Sequence, residues 1–488
     1  MVNKFQDTYF LDAKIALETA KQQNRVTLTT AVDGLQICYY AGEKLHKTPK
    51  NCIHLPLEEV FSYFQTTMNR LPQKISYGNT SFQEKEQKKF SKKLAEIIAA
   101  AQRERLNIIN GYIRKIRLHR PDFSKPLRIF LPACRETTVM QYSAENIAKT
   151  FKKMGYKVKY HIQKNDMESC CAMGALKSIY KFKPHITINI NHPNNHYIHD
   201  DVYNFIWYQD AMNILLTDEK QPHRQRDNYF IYLNDWKDVL VKKGISPEVI
   251  YPQYSCINKD DFFIDDKVSR ENKIVFAGTY YTKEYIQRML PFINQDISEK
   301  LYSLVENGID FSSKNISKVL LADDITFTDN NIIYIQQIYI RNKTIEWITE
   351  ICNNLNYDLE LYGWAGDIHE NKNIQKYYKG SLPHSEIKKL YNSSKYTLLS
   401  SGRTINTQRL AESAACGSIP VIFDSRNITL EKETWDKEVL YYKSKKELEN
   451  ILQQQLEPKK DFKKIAKALS YRKLAKKIIA IYKKDRKK

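Results

Sequence analysis

The 488 residues contain no run of about 18 apolar residues, so no transmembrane helix is expected. The N-terminal MVNKFQDTYF has no hydrophobic core behind its charges, which argues against a secretory signal. Cysteine is sparse and scattered, at 38, 52, 134, 170, 171, 256, 352 and 416, with no C-x-x-C pair. That pattern argues against a zinc site and for a reducing compartment. The expected location is therefore cytoplasmic, with a peripheral place at the inner membrane face as its variant. No internal repeat of about 20 to 50 residues is found, which excludes solenoids and propellers. Low-complexity sequence is absent outside a Lys-rich end.

What remains has the composition of a folded chain: hydrophobic residues make up 42% and charged residues 27%. The length suits two or three domains. The net charge is +21, but residues 459–488 hold 14 basic and 2 acidic residues and so carry +12 of it. The excess is a feature of the C-terminus, not of each domain. A nucleic-acid partner is accordingly not expected. A solvated face, an anionic membrane surface or an anionic substrate each suits a basic terminal helix.

The chain is organised around Lys395 to Asp424, which reads as strand, loop, helix, turn and strand. Tyr396–Leu399 and Ile419–Phe423 are short apolar runs of buried strand type. Between them Ser401–Thr407 is small and polar, and Asn406 and Thr407 are residue types that cap helices. Gln408–Cys416 has helical composition, and Gly417 stands where a helix end takes a left-handed residue. A polar loop leading from a parallel strand into a helix N-terminus converges free backbone N–H groups, an anion site in outline. Arg403 and Arg409 reinforce it, and Glu412 lies one turn into the helix on the face of Arg409, able to accept from sugar hydroxyls. Diphosphate plus ribose is the ligand this chemistry suggests.

The rest alternates strand and helix. Residues 1–123 are expected as a separate, mixed N-terminal region, with a hairpin over Arg25–Tyr40 around Asp33-Gly34 and a long charged helix over 81–120. Residues 124–257 read as a doubly wound parallel-sheet domain. In it Arg135, Thr137 and Gln141 fall in the first strand-to-helix loop, and Asp210 ends a strand. Residues 258–460 read as a second such domain, interrupted by a mostly helical stretch over 283–351 and including a strand near Gln375–Tyr378. The last helix, 461–482, is a candidate to pack back on the first domain. Successive open parallel sheets turn their carboxyl-end crevices toward each other, so the ligand is expected in a cleft between them. His192, His196 and His199 lie in a loop at loose spacing, which does not make a metal site.

On its residues the chain resembles the group 1 glycosyltransferases of the GT-B fold, of the spore-maturation-protein type. The matching pieces are LYGWA (361–365), KGSLPHSEIKKLYNSSKYTLL (379–399) and RLAESAACGSIPVI (409–422), with RETTVMQYSAENIAKTFKKMGYKV (135–158), FKPHITININH (182–192) and WYQD (207–210) in the N-terminal sheet. The resemblance covers roughly 126–445 and leaves 1–120 outside. It implies an α/β protein of two Rossmann-like domains plus an extra N-terminal α+β region. It also implies a nucleoside-diphosphate sugar as co-substrate, no other cofactor and no metal. Glu412 matches the glutamate that grips the donor ribose; Arg409, Thr407, Asn406 and Arg403 fall on the loop and helix start that hold the diphosphate. The loop Gly380–Pro383, with Leu382, matches the base-reading loop, and Gly278 with Thr279 the turn near the phosphates. Many relatives carry a second glutamate eight positions before Glu412; here that position is Thr404, so the sugar half of the site departs from the pattern.

The expected activity is glycosyl transfer to a hydroxyl of a glycan, lipid or protein, with Asp210 and His192 as candidate bases and Arg135, Thr137 and Gln141 on the acceptor side. Two rivals share the same residues: a sugar-nucleotide epimerase or phosphorylase, and a non-catalytic protein that binds nucleic acid or membrane through its basic end.

Overall fold

The computed structural model describes residues 7–26, 36–79, 81–135, 138–165, 167–168, 172–210, 212, 215, 222–308, 311–355, 357–363, 371–429, 435–457 and 462–486. By contact the chain forms two compact units, 1–207 with 222–229, and 208–221 with 230–488.

Unit 1 opens with four short strands, β1 (Thr8–Phe10), β2 (Cys38–Tyr40), β3 (Cys52–His54) and β4 (Lys74–Ser76), in the order β3-β2-β1-β4. All neighbours pair in parallel, so the N-terminal region is an α/β sheet and not the mixed arrangement its sequence suggested. The hairpin reading fails for the same reason. Arg25 and Val26 end a helix, Ala13–Val26, and β2 pairs in parallel with β1 and β3; Asp33-Gly34 lies outside the described residues. Asp7 anchors the sheet: it accepts from Ile37 N at 2.7 Å and pairs with Arg70 at 2.7 Å.

The expected long helix runs Glu84–Arg117. Leu94 and Ala101 on its first half pack with Tyr9, Tyr39 and Phe64, and Ile116 on its last turn packs with Phe130, Leu176 and Ile179. One rigid element thus serves two apolar clusters. Buried Arg105 sits between them and donates to the carbonyls of Phe64, Thr67 and Asn69 at 2.8 to 3.0 Å. Those are end carbonyls of the Val60–Thr66 helix and the chain after it, which would otherwise lack donors.

The next strands are β5 (Arg128–Pro132), β6 (Lys157–His161), β7 (Ile186–Ile190), β8 (Tyr203–Tyr208), β9 (Asp227–Ile231) and β10 (Ile250–Pro252), in a sheet ordered β10-β9-β8-β7-β5-β6. Strands β7, β8 and β9 are buried throughout, which is why they read as continuous apolar runs. Polar residues inside them form one network. Thr187 Oγ1 and Asn189 Nδ2 donate to Asn204 Oδ1 at 2.8 and 2.6 Å, and Asn204 Nδ2 donates to Pro193 O at 2.8 Å. Asn195 Nδ2 donates to Asp227 at 3.1 Å, and Arg224 binds Asp227 through two guanidinium nitrogens at 2.7 and 3.1 Å. The loop of the three histidines is held by these asparagines; His199 uses its Nδ1 to accept from Asp201 N at 3.0 Å.

Unit 2 contains the last sheet: β11 (Glu271–Ala277), β12 (Asp358–Tyr362), β13 (Ser394–Leu399), β14 (Ile419–Phe423) and β15 (Leu440–Tyr442), all parallel, in the order β12-β11-β13-β14-β15. The stretch between β11 and β12 is helical as expected, in four helices that end with Asp329–Asn354. The strand expected at Gln375–Tyr378 is instead a short helix, Lys372–Gln375, with a single bridge from Tyr378 to Leu361. Asn371 caps that turn by accepting from Asn373 N at 3.0 Å, and local capping overrides the apolar pattern. No helix among the described residues is long and apolar enough to cross a membrane.

Asp227 is fully buried and carries the charge that Arg224 neutralises. Asp227→Ala leaves the Arg224 charge without its carboxylate and removes an acceptor of the Asn195 and Asn204 amides, and is expected to cost about 3–5 kcal/mol of unfolding free energy by denaturant titration.

Candidate functional site

The carboxyl ends of β11 and β12 meet at Gly363, so closely that only glycine fits there. Gly278 N donates to Tyr362 O at 2.7 Å, and Gly363 N donates to Gly380 O at 3.1 Å. A Cβ on Gly363 would lie 2.1 Å from Gly278 O. The turn at Gly278–Thr279 and the loop that starts at Gly380 are therefore gathered at Gly363.

Past β13 the chain folds into a tight loop whose order comes from its hydroxyls. Ser401 Oγ accepts from Arg403 N at 3.2 Å, and Thr404 Oγ1 accepts from Asn406 N at 2.9 Å. Thr407 Oγ1 caps the Gln408–Ala415 helix by accepting from Leu410 N at 3.2 Å. Gly402 lies against the Asp329–Asn354 helix so closely that a Cβ there would stand 2.8 Å from the Gln336 carbonyl. Two expectations change in this loop. Asn406 is fully buried and its Oδ1 accepts from Trp435 Nε1 at 2.9 Å, so its side chain braces the loop. Thr404, where relatives carry a glutamate, is 2% exposed and spends its hydroxyl on Asn406.

Glu412 is 1% exposed and accepts from Gln408 Nε2 at 2.6 Å. His384 Nε2, at the start of the helix after the Gly380–Pro383 loop, stands 4.0 Å from Glu412 Oε1. Burial pushes the Glu412 carboxyl up to about 7, against the opposing pull of Arg409 and Gln408. Arg409 is enclosed between Tyr391 and Glu412; burial works to lower its pKa, and these two partners reverse the sign.

Two further guanidinium groups, Arg403 and Arg341, lie on neighbouring elements. Arg403 is pushed down to about 10 by burial, with Asp235 and Tyr232 opposing, and its Nη2 has no hydrogen-bond partner. Arg341, on the Asp329–Asn354 helix, donates through Nη1 to Tyr281 Oη at 3.0 Å and lies over the Tyr281 ring at 5.3 Å. The Gln337 amide oxygen accepts from its Nε at 3.2 Å. Burial and the like charge of Arg409 lower the Arg341 pKa. Its guanidinium carbon is 3.9 Å from where a Cβ on Gly278 would be. Among the described residues none of Arg341, Arg403 and Arg409 makes an ion pair within 4 Å. Arg409 thus lies beside the enclosed carboxylate of Glu412 and within reach of Arg341, while Arg403, in the loop that heads the same helix, faces Asp235 and Tyr232.

Arg341 and Asp235 are absent from the sequence reading. Arg341 lies far from the motif in sequence, and only the approach of its helix to Gly402 brings it in. Asp235 holds the N-cap position of Trp236–Lys242 without capping it, and burial, then Asp238, raise its carboxyl against the pull of Arg403.

On the acceptor side Arg135 is exposed but its Nε donates to Gln163 O at 2.8 Å, and Gln141 donates to Arg135 O at 2.8 Å. Both hold the loop in place. Thr137 lies outside the described residues. His192 is exposed directly after Asn191, whose φ is 62°, and Asp210 is exposed after β8.

Fold and site together define an α/β protein with an enclosed cationic seat at the ends of a parallel sheet, the class of site that takes a phosphorylated co-substrate. Residues 341–477 match the family described as glycosyl transferase-like. Among solved structures, sucrose-phosphate synthase from Thermosynechococcus elongatus is 9% identical with a TM-score of 0.43, over 73% of this chain and 98% of that one. HepE of Anabaena, in complex with UDP and glucose, is 9% identical with a TM-score of 0.42, over 73% of this chain and 100% of that one. A glycosyltransferase from Rickettsia africae ESF-5 is 11% identical with a TM-score of 0.44, over 74% of this chain and 98% of that one. No curated protein matches the chain by sequence.

Glu412 gives the site a pH signature. Its folded pKa of about 7 lies above the ordinary value of 4.5, so the folded chain holds this proton more tightly than the unfolded chain. The associated stability is full below pH 4.5 and is lost as pH rises through about 7, a total of about 3 kcal/mol. Glu412→Gln stays neutral at every pH. The difference in unfolding free energy, variant minus wild type, is expected to grow between pH 5 and pH 8, measured by denaturant titration at both.

Proposed function

We infer that the protein transfers a glycosyl group from a nucleoside-diphosphate sugar to a hydroxyl of a glycan, lipid or protein. The observation that carries this is the placement of Arg409 and Arg341 by Glu412, with Arg403 in the loop that heads the same capped helix. The diphosphate lies against the guanidinium groups and the amides after Thr404. Glu412 accepts from the ribose hydroxyls, and the Gly380–Leu382 backbone, one step from His384, meets the base. Gly278 and Thr279 close the phosphate side.

In the reaction the acceptor oxygen bonds to the anomeric carbon while the bond from that carbon to the diphosphate breaks. The leaving group departs as a nucleoside diphosphate, its charge held by the three guanidinium groups, and the acceptor proton passes to a base. Asp210 and His192 are the candidates for that base. With this much fixed positive charge the site is expected to work without a metal. The expected setting is the cytoplasm, with the basic C-terminus at an anionic membrane.

A panel of nucleoside diphosphates in a thermal-shift assay tests the reading: at least one is expected to raise the melting temperature. Glu412→Ala and Arg341→Ala are each expected to weaken that ligand about tenfold or more by calorimetry, each removing a charged hydrogen-bonding group. Arg341→Ala is expected to leave affinity for the free nucleoside unchanged. Turnover of a nucleotide sugar without any acceptor to an epimerised nucleotide sugar would instead favour the epimerase.

A further inference from the structure

The C-terminal helix, Tyr471–Asp485, buries Tyr471, Leu474, Ala475, Ile478 and Ile479. Lys477 is also committed: its Nζ donates to Pro252 O at 2.7 Å and lies over the rings of Phe230 and Tyr251. The remaining basic residues, Arg472, Lys473, Lys476, Lys483 and Lys484, are all exposed. At about 100° per residue they fall in one sector of roughly 120°. The helix's one acidic residue, Asp485, falls about 100° outside that sector.

Two exposed lysines on other helices have carboxylates one turn away, Lys88 with Glu84 and Lys149 with Glu145. None of these five makes an ion pair among the described residues. The stripe therefore concentrates like charge on a helix whose apolar face is already anchored. It has no aromatic residue on which bases could stack, and Ala480 is the apolar residue exposed within it. A straight, aromatic-free row of ammonium groups complements an extended anionic plane better than a single strand of nucleic acid.

We propose that this stripe docks the protein on an anionic lipid surface by charge alone, without insertion. At about fivefold in affinity per basic residue near such a surface, reversing four of them removes on the order of a hundredfold or more. Binding falls steeply with salt, since the charges are exposed and screened.

Vesicle flotation tests it. The full chain is expected to float with phosphatidylcholine–phosphatidylglycerol vesicles, not with phosphatidylcholine alone, and to release at high salt. The variant Lys473→Glu/Lys476→Glu/Lys483→Glu/Lys484→Glu is expected to lose flotation, with unchanged melting temperature and unchanged nucleoside-diphosphate binding. Reversal of four exposed lysines elsewhere, Lys85→Glu/Lys88→Glu/Lys89→Glu/Lys92→Glu, is expected to retain it. Failure of the wild type to float, equal flotation of the two variants, or tighter binding to single-stranded RNA than to the anionic vesicles overturns the proposal. None of these outcomes depends on the donor site, so the two readings fail separately.

Discussion

The structure of unit 2 turns on one imbalance: two neighbouring guanidinium groups, Arg341 and Arg409, enclosed with a single carboxylate, Glu412. Burying Glu412 costs free energy, and its raised pKa is the measure of that cost. Arg409 offsets part of it but is itself held near Arg341, whose charge no carboxylate cancels. Native chains rarely enclose like charges without a partner, because desolvation and repulsion both oppose it. The unpaired charge is therefore most simply understood as waiting for an anion, and the surrounding loop is built to keep it in place.

That building is done by short side chains: Ser401 and Thr404 accept from amides of their own loop, and Thr407 caps the helix that follows. Asn406 and Trp435 lock the loop from behind. Gly402 and Gly363 mark where backbone must approach backbone, and each would be blocked by a single methyl group. The donor side is thus rigid by construction. Its electrostatic strain is held by packing and not relieved by ion pairs, a common form of the trade between stability and function.

Much of this was legible from residues alone, for a physical reason. Strands buried on both faces are written as apolar runs, and caps and left-handed glycines punctuate helices locally. Hence β13, the helix of Glu412, its cap Thr407 and the turn at Gly417 could be read directly. Gly417 does adopt a left-handed φ of 80°. What could not be read depends on distant approach. Arg341 joins the site only because a helix some sixty residues earlier crosses beneath Gly402. Asn406 has a capping side chain by type, but Trp435 claims it. Arg135 sits in the loop expected of it and Gln141 in the first turn of the helix that follows, yet Arg135 is spent on Gln163 and Gln141 on the Arg135 carbonyl. A residue's type says what it can bind, and only the fold says what it has already bound.

The N-terminal region extends the same logic. Its four strands are three residues each, too short to announce themselves by pattern, and a parallel sheet of that size gains little from its own core. Stability has to come from outside the strands, and the Glu84–Arg117 helix provides it. Leu94 and Ala101 close one cluster, Ile116 another, and Arg105 ties helix-end carbonyls between them. A charged helix of 34 residues carries one apolar face in its sequence. Its buried residues make it a brace, and the exposed charges along it are what a brace turns toward water.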